Sequence, residues 1–154
     1  VAIDSSGEAL AAAVAAGPDL IKPNHEEFEE LVGRALPTLG DVIDAAHDVI
    51  AAGTATVVVS LGGDGAVLVT SDQTLHARAT ISAPVSTVGA GDCMLAGLLH
   101  GLTRGLPAAD ALAQGVLWGA AAVTLPGSRV PSPADLHGIP VDLTHTPHRE
   151  LVLS

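Results

Sequence analysis

The sequence has a single cysteine, Cys93, among 154 residues. It therefore forms neither an intrachain disulfide nor a cysteine-based zinc site, and a reducing cytoplasmic setting is expected. Basic residues are nearly as sparse, with six Lys and Arg against seventeen Asp and Glu and a formal charge of −11 at pH 7. A field of that sign opposes nucleic-acid backbones and anionic lipid surfaces, so neither is expected as a partner. No apolar run reaches the length of a membrane span. Repeats, linkers and low-complexity blocks are missing as well.

What is present is enough to fold: 48% of residues are hydrophobic, which excludes disorder for most of the chain, and the length is that of one ordinary domain. Val1-Ala2-Ile3-Asp4 is a β-branched opening without an initiator Met. It reads as a piece of something longer, with a first strand expected to pair with another chain or to self-associate.

Strand and helix signals then alternate. Ser5-Ser6-Gly7-Glu8 is a capping-type start for an Ala-rich helix that Gly17-Pro18 stops. Leu20-Ile21-Lys22 is a short strand ended by Pro23, and Asn24 caps a helix carrying Phe28, Leu31 and Val32. A further helix is predicted over 41–52, and Thr56-Val57-Val58-Val59-Ser60 reads as a parallel strand buried on both faces. Residues 66–69 and 74–77 flank Ser71-Asp72-Gln73 as a hairpin. Two helices follow, one from Gly89 with Leu95, Leu98, Leu99 and Leu102 on a stripe, and one over 108–123. The pattern predicts an α/β, three-layer fold whose sheet is mostly parallel with an antiparallel hairpin edge. Residues 1–137 are expected to form the domain and 138–154 a loosely attached tail.

In such sheets ligands bind beyond the carboxyl ends of strands, which singles out the segments at Asn24, Gly62 and Gly89. The richest is Ser86-Thr87-Val88-Gly89-Ala90-Gly91-Asp92-Cys93-Met94-Leu95-Ala96-Gly97. Glycines there allow close backbone approach, and a helix start points free N–H groups outward. An anion held by the Ala90 and Gly91 amides would lie beside the Asp92 carboxylate, which can accept a proton from an attacking hydroxyl. On these residues alone, a plain turn with Asp92 as a cap is the better reading.

Those twelve residues resemble the second signature of the ribokinase-like (PfkB) carbohydrate kinases. The resemblance implies that Asp92 is the catalytic base and that Gly89, Ala90 and Gly91 form an anion hole. Asn24-His25-Glu26-Glu27 is similar to the family's Asn-x-x-Glu element, which implies that Asn24 and Glu27 order Mg²⁺ through water. Ser60-Leu61-Gly62-Gly63-Asp64-Gly65 resembles the strand-end loop that lies along ATP, pointing to Ser60, Gly62 and Gly65. Residues 120–127 resemble the late helix and loop near the adenine, adding Gly127.

Lys22-Pro23-Asn24 with Glu30-Leu31, Ser60-Leu61-Gly62, and Ser86-Thr87-Val88 look most like the branch of 1-phosphofructokinases and tagatose-6-phosphate kinases. Many other family members have Asp where Ser86 stands. The implied reaction is ATP-dependent phosphorylation of a phosphosugar, fructose 1-phosphate foremost, with ATP and Mg²⁺. The matching region, about 1–136, corresponds to the family's second half. Homo-oligomerisation or pairing with the other half is therefore expected, and the sugar contacts cannot be assigned to the scattered Lys22, Arg34, Arg78, Arg104, Arg129 and Arg149. A nucleotide-binding domain without turnover remains the alternative. Cys93 is read as a buried idle thiol, Trp118 as core, and His145 and His148 as solvated.

Overall fold

The computed structural model describes every residue from Val1 to Ser154. Its elements run β1 (Ala2–Ile3), α1 (Gly7–Ala15), β2 (Leu20–Ile21), α2 (His25–Val32), α3 (Leu39–Ala51), β3 (Thr56–Ser60), β4 (Ala66–Val69), β5 (Thr74–Ala79), α4 (Ala90–Thr103), α5 (Ala108–Val123) and β6 (Val141–Thr144). The strands form one mixed sheet in chain order. β1 pairs parallel with β2, and β2 with β3. The expected α/β class holds, and no helix is long and apolar enough to cross a membrane.

Antiparallel pairing begins one strand earlier than expected. β3 and β4 pair antiparallel from Val57↔Val69 to Ser60↔Ala66. The reversal is made by a 3-10 turn, Gly62–Asp64, with Gly62 at φ 57° and Gly65 at φ 89°. Both are left-handed positions that side chains resist, so two glycines in four residues convert a strand end into a hairpin. At α1 the Ser6 hydroxyl makes no cap bond. The caps of α2 and α3 are complete, each with a reciprocal pair three residues apart: Asn24 with Glu27, and Thr38 with Asp41.

The chain divides into two compact units, Val1–His76 with Thr144–Ser154, and Ala77–Leu143. The first is built on Leu10, Ile21, Phe28, Leu36, Leu39, Val42, Val57, Val59, Val67 and Val69, all buried. The division does not fall at 137/138. Residues 149–154, expected to be loose, run as a strap along the start of α3. Leu39 N–H donates to Leu151 O at 2.9 Å, Gly40 N–H to Arg149 O at 2.8 Å, and Leu153 N–H to Pro37 O at 3.0 Å. Arg149 closes on the Asp44 carboxylate at 2.8 Å. A Cβ at Gly40 would stand 3.0 Å from Arg149 O, so the strap sits where only glycine leaves room. Leu151 and Leu153 also pack against the core, but two alternating residues are too few to read as a strand, and the main-chain pairing itself leaves no mark in the sequence.

The second unit is dominated by α4 against α5, and its close approach is made by glycine. A Cβ added at Gly115 would lie 2.8 Å from Met94 O, and one at Gly119 would lie 3.1 Å from Ala90 O. From the α4 side, Gly97 would meet the Trp118 ring at 2.9 Å and Gly101 would meet Ala111 at 3.0 Å. Trp118 is half-buried rather than core. It lies over Gly97 and stacks on His100, with ring centroids 5.4 Å apart, so one edge stays exposed.

Gly115→Ala is expected to cost about 1–3 kcal/mol, because backbone of α4 rather than a mobile side chain stands in the way. A urea midpoint equal to wild type would contradict this packing. The Thr38 hydroxyl bonds the Asp41 carboxylate and holds its pKa below the ordinary 3.8. A folded-state pKa below the unfolded value gives stability that is present above the unfolded pKa and is lost as pH falls through the folded one. Thr38→Ala should therefore remove part of the acid limb of a melting-temperature profile taken between neutral pH and strong acid. Superimposable acid limbs would contradict the cap.

Candidate functional site

At the start of α4, Gly89 is the N-cap, at φ 77° and ψ −1°. This left-handed residue lets the chain from Ser86 swing into the helix. The approach is anchored by the Val85 and Ser86 N–H groups, which both donate to Val123 O, at 2.8 and 3.1 Å. Ala90 N–H makes a long bond to Thr87 O at 3.3 Å, and Cys93 N–H donates to Gly89 O at 3.0 Å. The N–H groups of Gly89, Gly91 and Asp92 have no main-chain acceptor. First-turn amides have none within the helix, and together they present positive partial charge.

Asp92 lies in that first turn, exposed, and its carboxylate makes no hydrogen bond or ion pair. The capping reading therefore does not describe it. Its neighbour Cys93 is half-buried, and burial first, then the Asp92 charge, pushes the thiol pKa up. Gly127, at φ 64°, precedes Ser128, whose Cα lies 4.0 Å from where a Gly89 Cβ would be. The second unit thus brings the Gly89–Asp92 turn and the loop at Gly127 together.

In the first unit, two motifs distant in sequence meet at the carboxyl ends of β2 and β3. Asn24 and Ser60 form an isolated parallel bridge, and Ser60 N–H donates to Pro23 O at 3.1 Å. Asn24 Oδ1 accepts from Glu27 N–H at 2.8 Å, while Glu27 Oε2 accepts from Asn24 N–H at 2.8 Å. Each side chain thus spends one oxygen on the helix cap. The turn carrying Gly62 and Gly65 follows Ser60 directly, and Gly62 and Gly63 are exposed. No group of three His, Cys, Asp or Glu side chains converges to hold a metal ion, and His145 and His148 are exposed.

Two features went unread in the sequence. Lys22, counted among scattered cations, is only 3% exposed, with its Nζ 3.2 Å from Asp4 Oδ2. A lysine inside the short strand run Leu20-Ile21-Lys22-Pro23 was the available signal, since an unpaired lysine is seldom buried. Asp64, inside the glycine turn, is also buried and is held by Ser154. Nothing in the sequence links positions so far apart.

Comparison with known proteins adds a second line of support. The pattern of the pfkB family carbohydrate kinases matches residues 1–135. A 1-phosphofructokinase of Rhodobacter capsulatus is 42% identical over 136 residues, which cover 88% of this chain and 43% of that protein. Among solved structures, phosphofructokinase-2 from Escherichia coli, in a complex with potassium, superposes with a TM-score of 0.83 at 39% identity, covering 88% of this chain and 44% of that one. Ribokinase from Thermotoga maritima gives 0.68 at 26% identity, covering 77% and 40%. The chain thus spans less than half the length of the curated relative and solved structures it matches. With a family pattern running through both units, from β1 past the end of α5, the chain belongs to the pfkB family of carbohydrate kinases.

Proposed function

We propose that this chain carries the nucleotide-binding and phosphoryl-transfer part of an ATP-dependent phosphosugar kinase, with fructose 1-phosphate as acceptor and fructose 1,6-bisphosphate as product. The observation that carries the reading is an exposed, unpartnered Asp92 carboxylate beside the uncommitted amides of Gly89 and Gly91, with the Ala90 amide only in a long bond of 3.3 Å to Thr87 O. In the reaction, Asp92 takes the proton of the C6 hydroxyl as that oxygen bonds the γ-phosphorus of ATP. The bond from that phosphorus to the β–γ bridging oxygen breaks, and ADP leaves. The amides of Gly89, Ala90 and Gly91 oppose the charge on the transferring group. A first-turn carboxylate is a weak base because the helix dipole favours its ionised form. Phosphoryl transfer has a loose transition state, so positioning matters more than basicity.

Ser60, Gly62, Gly65 and Gly127 are assigned to the nucleotide. Asn24 and Glu27 suit Mg²⁺ held through water, since the one side-chain oxygen of Asn24 and one of the two of Glu27 are engaged in the cap and no third ligating side chain stands by. When bound, the ion neutralises phosphate charge, which a chain of net charge −11 requires. The nearest rival acceptors are tagatose 6-phosphate and other sugars of the family. A nucleotide-binding domain without turnover is the second reading. β1 lies at the edge of the sheet, and an open edge supports self-association or pairing with another chain.

Asp92→Asn is expected to lower kcat for fructose 1-phosphate by ~10² or more, the usual size of a general-base effect. Near-normal turnover would remove Asp92 from the chemistry. Calorimetry that finds Mg·ATP bound by the chain, beside an assay that finds no sugar phosphorylation, would favour the second reading. Sedimentation velocity is expected to show association through the β1 edge, and a monomer at all accessible concentrations would contradict it.

A further inference from the structure

The Gly62–Gly65 turn is held by groups that the proposed chemistry does not use. Asp64 is a carboxylate with only 6% exposure, and burying a charge is costly unless it is hydrogen-bonded. Its Oδ2 accepts two bonds from a residue ninety positions away: Ser154 N–H at 3.0 Å and Ser154 Oγ–H at 2.9 Å. The main chain of Asp64 is gripped separately. Its carbonyl oxygen lies 2.7 Å from His76 Nε2, and since a carbonyl only accepts, Nε2 carries the proton. His76 is itself buried, at 9% exposure.

Around this double grip the turn is internally closed. Leu61 N–H donates to Gly65 O at 2.7 Å, Asp64 N–H to Leu61 O at 3.0 Å, and Gly65 N–H to Gly62 O at 3.1 Å. Gly62 and Gly63 remain exposed. The turn therefore has a fixed inner side and exposed glycines, Gly62 and Gly63, on its outer side. Ser154 reaches it on the strap, which is bonded to the start of α3 through Leu39, Gly40 and Asp44.

A glycine turn left to itself samples many conformations, and a ligand that ordered it would bear that entropy. Fixing the turn beforehand removes the cost from binding. We propose that Ser154 and His76 are positioning residues for nucleotide binding, acting through Asp64 to hold the Gly62–Gly65 backbone in its receptive form. This rests on the nucleotide reading of the turn given above.

The test uses the full chain, with Mg²⁺ and the non-hydrolysable ATP analogue adenylyl imidodiphosphate, alongside amide hydrogen exchange. Ser154→Ala and His76→Phe are each expected to weaken the analogue ~5- to 10-fold, the size of one lost hydrogen bond to a charged or buried group. They should also speed exchange at Leu61, Asp64 and Gly65 while Val57 to Val59 in β3 exchange as before. That local pattern separates lost positioning from lost folding. His76→Gln, which retains an N–H donor, is expected to stay within about twofold of wild type in affinity. Unchanged exchange in the turn overturns the positioning role. Faster exchange with unchanged affinity also overturns it, because order in the turn then has no bearing on the ligand. A wild-type chain that does not bind the analogue overturns the nucleotide reading itself, an outcome visible before any variant is compared.

Discussion

The first turn of α4 is held in place by the backbone of α5, and the functional reading depends on that contact. Gly115 packs against the carbonyl of Met94 at a distance no Cβ would allow, and Gly119 against that of Ala90 at one where a Cβ would force the backbone to shift. Val123 O, at the end of the same helix, takes the N–H groups of Val85 and Ser86 just ahead of the turn. A helix start offers amides to an anion in any protein. Here both flanks of that start are fixed by one neighbouring helix, so the amides have a set direction. Glycine in α5 would ordinarily weaken a helix, and its presence four residues apart is explained by this approach.

Much of this was legible because it rests on local chemistry. The Ala-rich run over 108–123 coincides with α5, and Asn24 with Glu27 three residues later forms the reciprocal cap that the spacing suggests. The turn at Ser71-Asp72-Gln73 lies between neighbouring strands. What was not legible depends on pairing between distant segments. β3 reads as an all-parallel strand because Val57, Val58 and Val59 are buried whichever way the next strand runs. Residues 149–154 show too short a pattern to read, because only Leu151 and Leu153 turn toward the core and the rest of their order comes from main-chain bonds to the start of α3 and one ion pair. Trp118 reads as core from its place on the Ala-rich helix, yet its position over Gly97 depends on a helix contact that composition does not reveal.

The candidate site shows the same division. Asp92 and its glycines stand out in the sequence because they are contiguous. Asn24 and Ser60 belong to separate motifs, and only the parallel bridge between them shows that they share one end of the sheet. Lys22 and Asp64 escaped notice because burial, not spacing, sets them apart. In a chain of net charge −11, a cation and a carboxylate buried at the carboxyl ends of β2 and β3 are unusual placements. Both have specific partners, Asp4 for one and Ser154 for the other.

The most direct measurement is the backbone amide spectrum of the chain as Mg·ATP is titrated in. If main-chain nitrogens at the start of α4 receive the transferring phosphate, the shifts of Gly89, Ala90 and Gly91 change together and saturate with nucleotide. Saturating changes confined to other parts of the chain, with those three amides still, would contradict the account.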